Sequence, residues 1–369
     1  MNCDKNSSLE ITKNEFRINE KNIFNTDIDS ELVTKSISSI KRILSFNDDK
    51  FKNDSIDVNL GDDYCSVASG LSENYIFKKK ENNLITKNNS INNNDKIFKI
   101  AICAIAKNEN NYIREWVEYY KNMGINKIIL YDNNDLDGEK FDEVINDYIK
   151  YKFVEIHNRR GIVIENRHYG KSTQGKAYHD CYYNNYKKYD WIFFFDIDEF
   201  LSIDNKYNNI YDFLNDFNEY DGIKVQWRMY GDNGHLFYEN KPVIERFLSN
   251  NNVGYDKRVK SILKCKNYKF DLIFGAHGIS NKDPIIVNLN KKRLRSHKDK
   301  KAYDNLPVYL NHFYSKSTEE FIKRKFNQTD ATFGSKRNRN LNEIKKKYFQ
   351  FNNITRDKEK MFNFFINIK

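Results

Sequence analysis

The chain has 369 residues, of which 31% are charged, and its 62 Lys and Arg against 52 Asp and Glu leave a formal net charge of +10. That length holds one large domain or two small ones, and the positive balance calls for an acidic partner, for which nucleotide phosphate, anionic lipid and nucleic acid all qualify. No stretch approaches the ~18 to 20 consecutive apolar residues that span a bilayer, and the N-terminus has no secretory hydrophobic core, so the expected site of action is the cytoplasm.

Residues 1 to 95 are rich in Asn, Lys, Ser and Asp, a composition that buries little and reads as a low-complexity extension or small accessory segment. One helix is expected between Ser30 and Phe46, and a linker at residues 87 to 95. The run Ile97 to Ala106 then reads as a strand, followed by Lys107-Asn108-Glu109 and a helix with Ile113, Trp116, Val117, Tyr120 and Met123 on one face. Lys127 to Tyr131 is a second strand ending in Asp132-Asn133, Phe141 to Tyr148 a short helix, and Phe153 to Ile156 a third strand. A basic loop, His157 to Gly161, leads to a helix capped at Ser172-Thr173 and carrying Tyr178, Cys181 and Tyr182. The five cysteines, Cys3, Cys65, Cys103, Cys181 and Cys265, are odd in number and form no Cys-x-x-Cys pair, which fits a reducing compartment and structural roles.

Tyr189 to Phe200 is the stretch around which the chain is organised. Trp191 to Phe195 is a continuous apolar run, suited to a strand buried on both faces, and it runs into Asp196-Ile197-Asp198-Glu199. Continued strand alternation would put Asp196 and Asp198 on one side, where two close carboxylates call for a cation. Asp-x-Asp recurs at Asp27 and Asp135, but only here does it end a buried strand. Hydrolases of the haloacid dehalogenase type also place Asp-x-Asp after an apolar strand. Their motif continues into Thr or Val and opens the domain, whereas here Glu199-Phe200 follows and strands already precede it.

Alternating strands and helices imply parallel pairing, with ligands bound beyond the carboxyl ends of the strands. Lys107, Asn108, Glu109, Asp132, Asn133 and Asp196 would line that edge. After Asp198 the pattern shifts to shorter strands in a mixed, partly antiparallel set: Gly222 to Gly231, Pro242 to Phe247, Val259 to Cys265, Leu272 to Ala276, Ile285 to Leu289 and Val308 to Phe313. His277 and His312 close or flank two of these, and either would serve as a third metal ligand, tilting preference from Mg²⁺ toward Mn²⁺. Thr318 to Phe326 is a short basic helix. The tail from 331 to 369 is basic and aromatic, suited to helices packing on the domain or to contact with a membrane surface.

Taken together these pieces resemble glycosyltransferases of GT-A fold, in particular family 92 and the related family-2-like group. The resemblance rests on Ala104 to Glu109 with Glu115-Trp116, Leu130 to Asn133, Gln174 with Ala177-Tyr178 and Asp180-Cys181, and Trp191 to Phe200. It continues through Ile244 to Phe247, Lys260 to Ile262, Ala276-His277 and His312 to Ser317. It implies an α/β, nucleotide-diphospho-sugar transferase domain over about residues 96–330, with a mostly parallel sheet flanked by helices and a smaller mixed part. The implied activity is hexosyltransferase-like: inverting transfer from a nucleotide sugar, a UDP-sugar by preference, to a glycan or lipid-linked acceptor, aided by Mn²⁺ or Mg²⁺.

On the same resemblance Asp198 is the direct metal ligand, Asp196 stands behind the metal or on the donor ribose, and His277 or His312 completes the site. Lys107, Asn108, Glu109, Asp132 and Gln174 hold the nucleoside end, and Arg159 or Lys176 approaches the phosphates. Inversion needs a base opposite the leaving group, for which Asp232, Glu245 and Glu199 are candidates, Glu245 preferred through its Glu-Arg-Phe match. Members of the family from animals carry a membrane anchor, and without one here a cytoplasmic enzyme building surface or lipid-linked glycan is expected. Two other classes share parts of this pattern. A nucleotidyltransferase needs a Gly-rich loop after the first strand, which Lys107 to Asn111 is not, and a nucleic-acid binder would rest on Lys291 to Arg295, which reads as a solvated loop.

Overall fold

The computed structural model describes residues 97–162, 164, 170–248, 255–269, 271–280, 284–294, 306–327 and 341–367, with three short strands before residue 60. The expected Ser30 to Phe46 helix, the linker at 87–95, Cys3 and Cys65 lie outside the described residues. The chain divides into two compact units. In one, which takes residues 1–85 and 354–369, β1 (Ser8–Ile11) pairs antiparallel with both β2 (Phe16–Ile18) and β3 (Ile56–Asn59), and Arg356–Asn367 is helical.

The other unit, Thr86–Asn353, holds the long sheet. Its first half alternates as expected: β4 (Ile100–Ala106), α1 (Asn110–Met123), β5 (Lys127–Asp132), α2 (Asp142–Lys150), β6 (Val154–Asn158), α3 (Thr173–Asn185) and β7 (Trp191–Phe194). All seven residues of β4 are buried because the strand is covered twice. Ile100, Ile102 and Ala104 face Ile113, Trp116, Val117 and Tyr120 of α1, while Ala101, Cys103 and Ile105 face Ala177, Tyr178, Cys181 and Tyr182 of α3. The aromatic run of β7 is divided in the same way, Trp191 and Phe193 to one layer, Ile192 and Phe194 to the other. Each such ring withdrawn from water contributes about 1.5–3 kcal/mol before the entropy of ordering it.

These four strands are parallel in the order β6-β5-β4-β7. The chain therefore leaves β4 to build on one side and returns to add β7 on the other, so the crevice for a ligand opens at their carboxyl ends. Beyond β7 the sheet becomes mixed. β8 (Glu199–Ile203), α4 (Ile210–Asp216), β9 (Gly222–Met229), α5 (Val243–Arg246), β10 (Tyr255–Lys264), the β11 (Ile273–Gly275) and β12 (Gly278–Ser280) hairpin, β13 (Ile286–Asn288), β14 (Val308–His312), α6 (Thr318–Asn327) and α7 (Leu341–Phe349) follow in sequence. The path runs β7-β10-β9-β14-β8, with β13 alongside β9, and only β9 with β14 and with β13 pairs in parallel.

Consecutive strands β7 and β8 are thus four places apart in the sheet. At about 4.8 Å per strand a flat sheet would separate them by roughly 19 Å, more than the five residue steps from Phe194 to Glu199 can span at ~3.3–3.6 Å each. The sheet must curl to bring β8 back toward β7, the more so because Glu199 N–H donates to Asp196 C=O at 3.2 Å in a tight turn. A parallel half continued by a curled mixed half, flanked by helices, is the GT-A architecture.

Two sequence expectations need correcting. Pro242 to Phe247 is not a strand, because the carboxylate of Glu115 accepts from Val243 N–H and Ile244 N–H at 2.9 and 3.2 Å and caps a single helical turn. The strand alternation proposed for Asp196 and Asp198 also stops before them, since the chain leaves β7 after Phe194 and turns at Ile197 and Asp198.

Candidate active site

The acidic turn is fixed from three sides. Trp116 Nε1–H and Tyr120 O–H of α1 donate to the carbonyl of Glu199 at 3.0 and 2.9 Å, so the buried aromatic face of that helix sets where β8 begins. Asp198 C=O accepts from Phe313 N–H at 3.0 Å just past β14, and Glu199 lies directly opposite His312 in the β8–β14 register. On the third side Asp196 receives Gln174 Nε2–H at 3.0 Å and Tyr178 O–H at 3.1 Å from α3, and Lys260 Nζ from β10 at 2.6 Å.

The carboxylates consequently part company. Asp196 is engaged by Lys260, Gln174 and Tyr178, whereas Asp198 faces His312 Nε2 at 3.4 Å and Arg324 Nη1 at 2.9 Å, both through Oδ2. Glu199, 0% exposed, completes a cluster with Asp198 and His312 in which one potential ligand atom from each lies within 4.8 Å of the others. Two buried atoms there are orphaned among the described residues: Glu199 Oε1 and His312 Nδ1 accept or donate no hydrogen bond. Two carboxylates and one imidazole, partly unsatisfied, fit a divalent cation.

The charge states agree with a site kept ready for charge. Burial would raise the Asp198 pKa, but His312, Arg324 and Lys316 outweigh it and hold the carboxyl well below its usual range. Burial pushes Glu199 well above that range, Lys260 countering and Asp196 and Asp198 adding to the rise. Burial also lowers His312, with Asp198 partly offsetting it.

Around the turn, the other expected residues take distinct positions. Lys107, Asn108, Glu109 and Asp132 stand at the carboxyl ends of β4 and β5. Lys107 Nζ pairs with Asp135 at 2.7 Å, and Asn108, held at φ 57°, donates its N–H to Asn134 Oδ1 at 2.7 Å. Glu109 accepts from Lys316 at 2.9 Å, and Asp132 from Arg160 at 2.9 Å. Gln174 points into the site, but Lys176, two residues on along the helix, is exposed. Arg159 is ion-paired with Asp180 of α3. His277 sits in the β11–β12 turn with its ring 5.0 Å from Trp227, whose indole is 4.2 Å from His312. Asp232 is buried and accepts from Gly234 N–H at 3.0 Å and from Tyr348 O–H of α7, and Glu245 is exposed on α5.

With this geometry, the profile of glycosyltransferase family 92 matches residues 96–351. The chain belongs to that family. A family 92 protein of Ricinus communis is 25% identical over 250 residues, which are 65% of this chain and 39% of the relative. One from Oryza sativa subsp. japonica is 27% identical over 106 residues, 29% of this chain and 16% of its own. The chain spans well under half the length of the curated relatives it matches. A solved structure of S. aureus TarS, residues 1–349, aligns over 62% of this chain and 63% of that one at 11% identity and a TM-score of 0.30, too loose a likeness to place a residue.

In this family 92 chain, Lys260, Lys316, Arg324 and Arg160 stand in the site although sequence reasoning gave them no role. Lys260 had a signal, a charge inside the apolar run Val259 to Leu263 that a buried strand tolerates only beside an anion. Arg160 binds Asp132 and the carbonyls of Asp135, Gly138 and Glu139, bracing the loop after β5.

Helix α3 has one position where a generally stabilising change is expected to fail. Gly175 lies inside the helix, where Ala is ordinarily better by about 1 kcal/mol. A Cβ there would lie 2.6 Å from the Phe274 carbonyl oxygen. Gly175→Ala is therefore expected to destabilise by roughly 1–3 kcal/mol through overpacking, and to loosen the hold of Gln174 and Tyr178 on Asp196. Urea unfolding of the variant checks the first and its crystal structure the second; a stabilised variant would refute the close approach.

Proposed function

We propose that this chain transfers a sugar from a nucleoside diphosphate donor, a UDP-sugar by preference, to an acceptor hydroxyl with inversion at the anomeric carbon. The observation that carries the reading is the Asp198, Glu199 and His312 cluster at the carboxyl edge of the β4–β7 crevice in a family 92 chain. Those three residues would hold Mn²⁺ or Mg²⁺, the imidazole favouring Mn²⁺. A bound cation of this kind supplies Lewis-acid charge to a diphosphate leaving group.

The remaining roles fall to the chain's own side chains. Lys107, Asn108, Glu109 and Asp132 border the place for the nucleoside, Asp132 kept rigid by Arg160. Asp196, its oxygens engaged by Lys260, Gln174 and Tyr178, is suited to orienting the donor ribose or the turn itself. For the base we favour Glu245: Asp232 is committed to Gly234 and Tyr348, and Glu199 belongs to the cluster, while Glu245 remains exposed. The acceptor we infer is a glycan or lipid-linked saccharide at the cytoplasmic side. Among the described residues no helix is long and apolar enough to cross a membrane.

Thermal unfolding with UDP and Mn²⁺, separately and together, tests the reading. A ligand at ~100 times its dissociation constant adds about 2.7 kcal/mol to native stability. The midpoint is expected to rise with the pair and little with either alone. No shift with any nucleoside diphosphate, under Mn²⁺ or Mg²⁺, would end this assignment.

A further inference from the structure

Arg324 is the side chain in the cluster that the cation-binding reading leaves unexplained. Its Nη1 lies 2.9 Å from Asp198 Oδ2, the same oxygen that faces His312, so the guanidinium occupies the approach a cation would use. It is held there by the Tyr314 carbonyl, which accepts from Nη2, and by the Tyr314 ring 5.2 Å from its carbon. Its side chain keeps 17% exposure.

The neighbouring charges sharpen the problem. Four carboxylates, Glu109, Asp196, Asp198 and Glu199, are met by three basic side chains: Lys316 on Glu109 at 2.9 Å, Lys260 on Asp196 and Glu199 at 2.6 and 3.7 Å, and Arg324 on Asp198. With all of them ionised the group carries a single excess negative charge, and a divalent ion alone would turn it net positive in a buried setting. His312 Nδ1 and Glu199 Oε1, buried with no hydrogen bond among the described residues and the latter with only Lys260 Nζ at 3.7 Å, nonetheless mark the cluster as built for a further ligand. An anion that brings two or more negative charges resolves both facts.

We propose that Arg324 makes cation binding at Asp198 conditional on a diphosphate, repelling the cation when no anion is present and anchoring the anion once both have arrived. The inference rests on the transferase reading, since it takes Asp198, Glu199 and His312 as the cation's ligands. It adds an order to binding: the ion and the nucleoside diphosphate enter as a pair, and the free protein stays largely free of the ion.

Calorimetric titration of the EDTA-stripped full chain with Mn²⁺, alone and under saturating UDP, tests it, with Arg324→Gln and Arg324→Lys alongside. Gln keeps donors for Asp198 and Tyr314 but removes the charge; Lys keeps the charge. UDP is expected to tighten Mn²⁺ about tenfold or more in the parent, within the usual range of coupling between sites. Arg324→Gln should bind Mn²⁺ alone about tenfold more tightly and UDP more weakly, whereas Arg324→Lys should stay within about twofold of the parent for the metal alone. A purely structural role for Arg324 would not raise metal affinity. Unchanged or weaker Mn²⁺ binding by Arg324→Gln overturns the proposal, and so does a parent that binds Mn²⁺ as tightly without UDP as with it, a result that stands even if the Gln variant does not fold. A parent that binds neither Mn²⁺ nor UDP sinks the transferase reading itself, which separates the two failures.

Discussion

Asp198→Asn is expected to lower sugar transfer by about a thousandfold or more, the scale on which removing one electrostatic stabiliser of a leaving group acts. It should also erase the rise in unfolding midpoint that UDP and Mn²⁺ produce together. The substitution is nearly isosteric, so the turn should persist: Asp198 is tied into it through its main chain, by the Phe313 N–H. What it removes is the charge that His312 and Arg324 share at Oδ2. A neutral amide oxygen is a poor ligand for a divalent ion, and Arg324 loses its counter-ion in a nearly enclosed position. Breaking a buried pair from one side costs up to about 3–5 kcal/mol, but Arg324 keeps the Tyr314 carbonyl and some solvent, so the stability loss should be smaller than that. The two readouts are therefore separable. An initial-rate assay over a panel of nucleotide sugars gives the first, and midpoints with and without ligands give the second. A variant that unfolds earlier yet keeps a full metal-dependent UDP shift would show that Asp198 is only the counter-ion of Arg324 and that the cation is held elsewhere.

The contrast between what local sequence carried and what it did not follows from the range of the forces involved. β4, β7 and α1 were legible because burial on both faces writes itself into consecutive residues: Ile100 to Ala106, Trp191 to Phe195, and the spacing of Ile113, Trp116, Val117 and Tyr120. The switch-point edge followed, since parallel order puts the ends of β4 and β5 together. Inside the site the determinants come from far along the chain. Lys260 reaches Asp196 across 64 positions, Arg324 reaches Asp198 across 126, and Lys316 reaches Glu109 across 207, and no periodicity encodes such pairings. The sequence offers Glu199 only as one of three candidate bases, and no local pattern shows that the chain turns before it. The turn at Ile197 and Asp198 instead puts Glu199 at the start of β8, opposite His312. The helical turn at Val243 shows the same limit, being specified by a carboxylate 128 positions earlier at Glu115.

Lys260→Met should be the most destabilising change in the site, and its cost should depend on pH. Lys260 is 1% exposed and sits between Asp196 Oδ2 at 2.6 Å and Glu199 Oε1 at 3.7 Å. Burial opposes its charge, yet Asp196 and Glu199 together raise its pKa above the ordinary lysine value. Met fills similar space and removes only the charge. Asp196 keeps Gln174 and Tyr178 as donors and is partly open to solvent, so the loss falls mainly on Glu199, which is fully buried. Burial already lifts the Glu199 carboxyl well above its usual range, and Lys260 is the foremost influence lowering it. A carboxyl whose folded pKa exceeds its unfolded one makes the folded state hold a proton that the unfolded state releases, so stability falls as pH rises from the ordinary carboxylate value through the raised one. Without Lys260 the folded value climbs further and that fall extends to higher pH. Urea unfolding in EDTA should show a deficit of about 3–5 kcal/mol at pH 8, the cost of stranding a buried charge, and a clearly smaller one at pH 5, nearer the ordinary carboxylate value. An equal deficit at both pH values would mean that the loss arises from packing or from Asp196, and that Lys260 is not what keeps Glu199 in a state to bind a cation.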